Sequence, residues 1–327
     1  MAPHAETRAL QQLLRTGTPQ QSIERAVTHG ELTRLRRGVF DAPAAQERTP
    51  SDRYRQLVLA VGVQAGDPLI SHLSAAAVHD LPVVGGDRSV VHTTTNRRHG
   101  GQRRAGVHRH VAHRPDRVVE LNGLRVTSLH RTLIDVARTE ALITSVPILD
   151  AVLHRAGVSM TQLTAELRNA GRQRGVNRAR LALSLAEARC ESPGESASRV
   201  VMHEIGVDLP VNQVEIFDRA GVFLGRSDFW FEGTATVGEF DGLMKYGSIP
   251  DGSKGREELI REKRREDAIR RTGAVMARWT WSDLRSRTTF AALLRDALDQ
   301  GRRASEKGLV SASFRPVKNP SDRTPGS

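Results

Sequence analysis

Apolar residues along this chain keep two rhythms, and the switches between them mark out its elements. ETRALQQLLRTG carries Leu10, Leu13 and Leu14 at helical spacing. TPQQSIERAVTHG predicts a second short helix, with Thr18 as N-cap, Pro19 at the first helical position and Gly30 as C-cap. ELTRLRRGVF then reads as a strand pair or wing. Beyond an Ala- and Pro-rich linker over residues 42 to 52, DRYRQLVLAVGVQAG and LISHLSAAAVHDLPV predict helices, and RSVVHTTT and GVHRHVAH alternate as strands. GLRVTSLHRTLIDVARTEAL reads as a strand running into a helix, and ALITSVPILDAVLHRAG and SMTQLTAELRNAG continue in helices. ESPGESASRVVMHEIGV predicts a helix begun at Ser192 or Pro193, and SDFWFEGTATVGEFDGLMKY a strand, a turn and a second strand. REELIREKRREDAIRRTGAVMARWTW follows as a charged helix, stopped at Gly273, and a strand ending in aromatics.

These elements give a multidomain α+β chain: a winged helix-turn-helix over residues 1–41, a mixed α+β middle domain over 53–190, an α/β domain over 191–300 and a disordered basic tail over 301–327. Lys and Arg number 49 against 37 Asp and Glu, a net charge of +12, which points to a polyanionic partner. Two places concentrate that charge. Arg34, Arg36 and Arg37 line the wing, and a hairpin tipped by Gly100-Gly101 carries Arg97, Arg98, Arg103, Arg104, Arg109, Arg114 and Arg117 against the one acid Asp116. Both sets are expected to contact the phosphates of double-stranded DNA, with the second helix in the major groove. Neither an apolar leader nor a bilayer-spanning run is present in the sequence, so a cytoplasmic location without a membrane partner is expected. The single Cys190 excludes an internal disulfide framework. His72, His79, His92, His99, His108, His110 and His113 form no HExxH or Cys/His set and read as polar or solvated positions rather than metal ligands.

The chemistry concentrates in residues 228 to 246. Asp228 and Glu239 fall on neighbouring strands, and Glu239 and Asp241, two apart, leave the same face of one strand. Converging carboxylates repel and raise one another's pKa unless a cation lies between them, and hard oxygens suit Mg²⁺ or Mn²⁺. This Asp…Glu-x-Asp-Gly pattern resembles the PD-(D/E)XK nuclease superfamily, and more closely its very-short-patch-repair-like endonuclease domains. The resemblance implies a restriction-endonuclease-like α/β fold in the order helix, two strands, helix, strand. It also implies Asp228 and Glu239 as metal ligands, Glu195 in support from the first turn of the preceding helix, and the Phe240 carbonyl completing the shell. Where that family carries its lysine this chain has Asp241, so Lys245 or Lys263 would stand in. Further upstream, Arg36 to Phe40, SHLSAAAVHDLPV and RVTSLHRTLIDVAR resemble AbiEi-type antitoxins of type IV toxin–antitoxin systems, which implies a cognate toxin as a further partner. The expected function is a DNA-binding protein whose C-terminal domain hydrolyses DNA phosphodiesters. The alternative is a repressor or antitoxin whose nuclease-like domain is catalytically inactive.

Overall fold

The computed structural model of the protein describes residues 8–9, 19–36, 39–41, 49–64, 68–96, 102–104, 106–111, 117–242 and 253–318. Among them no helix is long and apolar enough to cross a membrane. Helices and strands are mixed throughout, and the chain divides into two compact units, Met1–Ile148 with Met160–Leu183, and Leu149–Ser159 with Ser184–Ser327.

The first unit opens with strand β1 (Arg8–Ala9), helix α1 (Gln20–Thr28) and strands β2 (Thr33–Arg36) and β3 (Val39–Asp41). The strands form an antiparallel sheet in the order β1-β3-β2. Arg8 and Ala9, expected in a helix, pair instead with Phe40 and Val39. The remainder of that expected helix lies outside the described residues. Helix α1 starts one residue later than its sequence predicts, because Pro19 is extended (φ −63, ψ 144) and acts as the N-cap itself. Ile23 and Phe40 close a small core between the helix and the strands, with Val27 and Leu32 against them.

Helix α2 (Pro50–Gln64), β4 (Leu69–Ile70) and α3 (His72–Val78) follow, then β5 (Val91–Thr95), β6 (Gln102–Arg104), β7 (Val107–Val111), β8 (Val118–Leu121) and β9 (Leu124–Thr127). The strands make a six-stranded mixed sheet in the order β6-β7-β5-β4-β9-β8, with β5–β7 and β4–β9 parallel. The Ala-rich α3 is buried along its whole length, and its small side chains let it lie close to its neighbours. Helices α4 (Leu129–Thr139), α5 (Leu142–His154), α6 (Met160–Asn169) and α7 (Val176–Leu185) complete the middle of the chain. In α4 the apolar face Leu133, Ile134, Val136 and Ala137 is buried.

The second unit is built on helix α8 (Pro193–Glu204), strands β10 (Val211–Phe217), β11 (Phe223–Phe231) and β12 (Thr236–Asp241), helix α9 (Ser253–Arg271) and strand β13 (Val275–Thr280). Short helix α10 (Trp281–Arg285), long helix α11 (Arg287–Glu306) and strand β14 (Ser313–Pro316) end it. Its sheet runs β13-β12-β11-β10-β14, antiparallel except for the parallel pair β12–β13. Val214, Ile216, Val237, Ile269, Ala274 and Met276 form one core cluster. On another side Trp279 is sealed in, and its indole N–H donates to Ser198 Oγ at 2.7 Å. Gly238 makes that packing possible, since a Cβ there would meet the Trp279 ring at 2.4 Å. The tail expected over 301–327 is ordered well beyond its start. Helix α11 runs to Glu306, and β14 adds a fifth strand beside β10, where Phe314 stacks on Trp230.

Candidate functional site

Two clusters of titratable side chains stand out, one in each unit. The second unit's cluster begins at the start of α8. Ser192 Oγ accepts the N–H of Glu195 at 3.2 Å as N-cap, with Pro193 at the first helical position, and Glu195 Oε2 reaches back to accept the N–H of Glu191 at 3.0 Å. The cap explains a glutamate in the first turn, and it also turns the carboxylate inward, where it is 4% exposed. Close approach of the helix to the sheet depends on Gly194, because a Cβ there would lie 1.9 Å from the Phe240 ring.

Strand β10, which no sequence motif marked as functional, brings Gln213 into the same place. Gln213 has φ 54, in the left-handed region, between Asn212 and Val214, which pair with Phe229 and Ser227. That register sets Gln213 at the level of Asp228. Its Nε2 donates to Glu195 Oε2 at 2.8 Å and to Asp228 Oδ1 at 3.5 Å, while its Oε1 is buried with no hydrogen-bond partner. The other oxygen of Asp228 accepts the backbone N–H of Phe240 at 2.9 Å. Burial, then repulsion from Glu195 and, more weakly, from Glu239, push the Asp228 carboxyl up to about 7. Gln213 thus bridges Glu195 and Asp228, and Glu195 and Glu239 both repel the Asp228 carboxylate.

Glu239 is nonetheless turned towards cations. Arg265 on α9 reaches Glu239 Oε1 at 2.7 Å, and Arg278 on β13 reaches Oε2 at 2.9 Å. Both guanidiniums also bind Glu262, each at 2.6 Å, and hydrogen bonding to Glu262 heads the influences that raise the Arg265 pKa. Asp241 is half-buried at the end of β12, opposite Thr280. Lys263 is exposed on α9, and Lys245 lies outside the described residues. Of the expected nucleic-acid contacts, Arg34 is exposed on β2. Arg36 belongs to β2, and Arg103 and Arg104 to β6, with their side chains outside the described residues, as are Arg37, Arg97 and Arg98 entirely. Cys190 is buried, and burial holds its thiol well above the ordinary range, which removes it from nucleophilic chemistry.

In the first unit, parallel pairing of β5 with β7 sets His92 opposite His108, and His110 leaves the same face as His108. One ring nitrogen from each of these three lies within 4.8 Å of the others; among the described residues no set of carboxylates converges as tightly. His92 Nδ1 stands 2.9 Å from His110 Nε2, and the His72 ring stacks on His110 with centroids 3.6 Å apart. Burial first, then the neighbouring His108 and His92, hold His110 down at about 3, so its imidazole is neutral. The histidines, expected as separate polar positions, are thus gathered by a strand pairing that linear spacing does not reveal.

No family model matches the chain. It is 27% identical over 199 residues to uncharacterized proteins from two strains of Mycobacterium tuberculosis, a match covering 61% of this chain and 69% of each relative.

Proposed function

We propose that this protein is a DNA-binding, metal-dependent endonuclease whose second unit hydrolyses DNA phosphodiesters. The observation that carries the reading is the half-buried Asp228, hydrogen-bonded to Gln213 and the Phe240 N–H, with its carboxyl pushed up to about 7 by burial and by Glu195 and Glu239. Such a group is poised to exchange a proton for a cation. The oxygen set of Asp228, Glu195 and Glu239, with the orphaned Gln213 Oε1 beside it, suits a hard cation such as Mg²⁺ or Mn²⁺. The succession α8, β10, β11, β12, α9, β13 also supports it, since it carries the helix, strands, helix, strand order that the nuclease resemblance implies, with one strand more.

In this reading Gln213 and the Phe240 N–H orient Asp228, and the helix cap orients Glu195. Asp228, Glu195 and Glu239 would hold the cation, and Arg265 and Arg278, which now bridge Glu239 and Glu262, would offer their fork geometry to phosphate oxygens. Mg²⁺, when bound, polarises the phosphodiester and acidifies the attacking water. The N-terminal winged helix-turn-helix, with Arg34, Arg36 and Arg37, and the arginine hairpin hold duplex DNA in the cytoplasm. A second reading rests on the two arginines that bridge Glu239 and on Asp241 in the place of a lysine. It is a repressor or antitoxin, with a cognate toxin, whose nuclease-like domain no longer cuts.

Incubation of supercoiled plasmid with the full chain and Mg²⁺ or Mn²⁺ separates the two. The endonuclease reading predicts nicked or linear DNA, and a loss of roughly a thousand-fold or more in rate for Asp228→Asn with Glu239→Gln, the scale of several kcal/mol of charge stabilisation. A double variant that cuts as well as the parent overturns it. Specific binding without cutting by either protein favours the repressor reading.

A further inference from the structure

The histidine cluster of the first unit lies outside this chemistry and has a different donor character. We propose that His92, His108 and His110 form a site for a borderline divalent transition metal, Zn²⁺, independent of the carboxylates of the second unit. The three ligands come from two strands in parallel register, His92 from β5 and His108 and His110 from β7, so backbone pairing fixes their spacing. One ring nitrogen of each lies within 4.8 Å of the others, and the His92 Nδ1–His110 Nε2 distance is 2.9 Å. Tetrahedral zinc with Zn–N bonds of about 2.0–2.1 Å needs nitrogens about 3.3 Å apart, so small ring rotations suffice.

The surroundings support ligation. His72 stacks on His110, and its own Nδ1 bonds Ser71 Oγ at 2.9 Å, to which Thr94 Oγ1 donates at 2.7 Å. His72 holds this place with φ 54, a left-handed conformation that costs energy for a residue with a Cβ. A stacked and anchored ring beside a ligand fixes the orientation of that ligand, as outer-shell groups do in metal sites. Three protein ligands leave a fourth position, and the cluster borders a cavity of about 670 Å³ whose lining includes Arg138 and Arg178 as well as Asp87, Asp135 and Glu140. The exchangeable position is therefore suited to water.

The test uses the full chain, stripped with a chelator and titrated with Zn²⁺ against a chromophoric chelator of micromolar affinity. One equivalent bound at micromolar affinity or tighter is expected, with roughly ten-fold or greater weakening in His92→Gln, His108→Gln and His110→Gln. Cobalt substitution should give visible absorption bands of low-symmetry coordination in the parent and lose them in the same variants. The partly exposed His108 keeps the test open, because His108→Gln should retain the parent's circular dichroism even if the other variants fail to fold. Asp228→Asn and the exposed His203→Gln should bind zinc as the parent does. Absence of a zinc equivalent, or zinc binding unchanged in His108→Gln, overturns the proposal. Loss of zinc in Asp228→Asn overturns its independence from the second unit.

Discussion

The carboxylate cluster of the second unit and the histidine cluster of the first are assembled in opposite ways. Asp228 and Glu239 sit on consecutive strands joined by a tight turn, and Glu195 is delivered by its own helix cap. Each step is local in sequence. The histidines meet because β5 pairs in parallel with β7, and a parallel pair forms only through a crossover connection, here routed outwards to β6. The electrostatics differ as well. The acids repel one another, and two guanidiniums hold Glu239 aside, whereas the imidazoles stack and His110 stays neutral. A site built from charge needs a counter-ion in every state, while one built from neutral donors persists without one.

The largest effect that separates the two units concerns DNA. If the first unit provides the grip, duplex affinity should fall with salt at a log–log slope of about −0.9 per neutralised phosphate. Arg34→Ala, Arg36→Ala and Arg37→Ala together should make that slope shallower by about 0.9 for each phosphate left without its arginine, while Arg302→Ala with Arg303→Ala on α11 should leave it nearly unchanged. Fluorescence anisotropy at several salt concentrations measures both, and a salt-independent affinity contradicts the assignment.

Next in size is the arginine clamp. Arg265→Ala removes one partner from Glu239 and one from Glu262, and it should cost about 1–3 kcal/mol in metal-free buffer, read from urea melts. The same variant should gain more stability from Mg²⁺ than the parent does, because Glu239 then has one fewer cation to leave. Equal gains would show that the clamp does not compete with metal.

A smaller effect is set by pH. The folded Asp228 carboxyl titrates near 7 against an ordinary 3.8, so between those values the folded chain keeps a proton that the unfolded chain has released. Its contribution to stability is therefore lost as pH rises through that window and is flat above about 7. Relative to the parent, Asp228→Asn should gain stability steadily as pH rises through it. Comparing the two proteins cancels the opposite contribution of His110, which both share. A stability difference that does not change with pH would mean that Asp228 is not shifted.

What was legible in the sequence follows from the same contrast. The neighbouring strands of Asp228 and Glu239, the capped helix with Glu195 and the charged helix are legible because their signals span a few residues each, whereas Asp241 ends β12 opposite Thr280. Gln213 is not legible, since VNQVEIF carries its glutamine in an ordinary apolar strand pattern and only the left-handed φ gives it a role. Arg265 lies among the paired charges of α9, as its 2.6 Å contact with Glu262 shows, but the contacts of Arg265 and Arg278 to Glu239 join α9 and β13 to β12, which spacing along the chain does not reveal. The C-terminal strand is not legible in the sequence because its anchor is one aromatic, Phe314, in an otherwise polar stretch. Nor is the histidine cluster, because register across two strands is not written in spacing along one.

At the centre stands the claim that Asp228, with Glu239 and Glu195, holds a divalent cation. Melting temperature in saturating Mg²⁺, a hard cation that imidazole clusters hold poorly, tests it directly. The parent should gain about 2.7 kcal/mol at a hundred times the dissociation constant, a rise of several degrees, and Asp228→Asn should gain none. An equal rise in both proteins, or no rise in the parent, would contradict it.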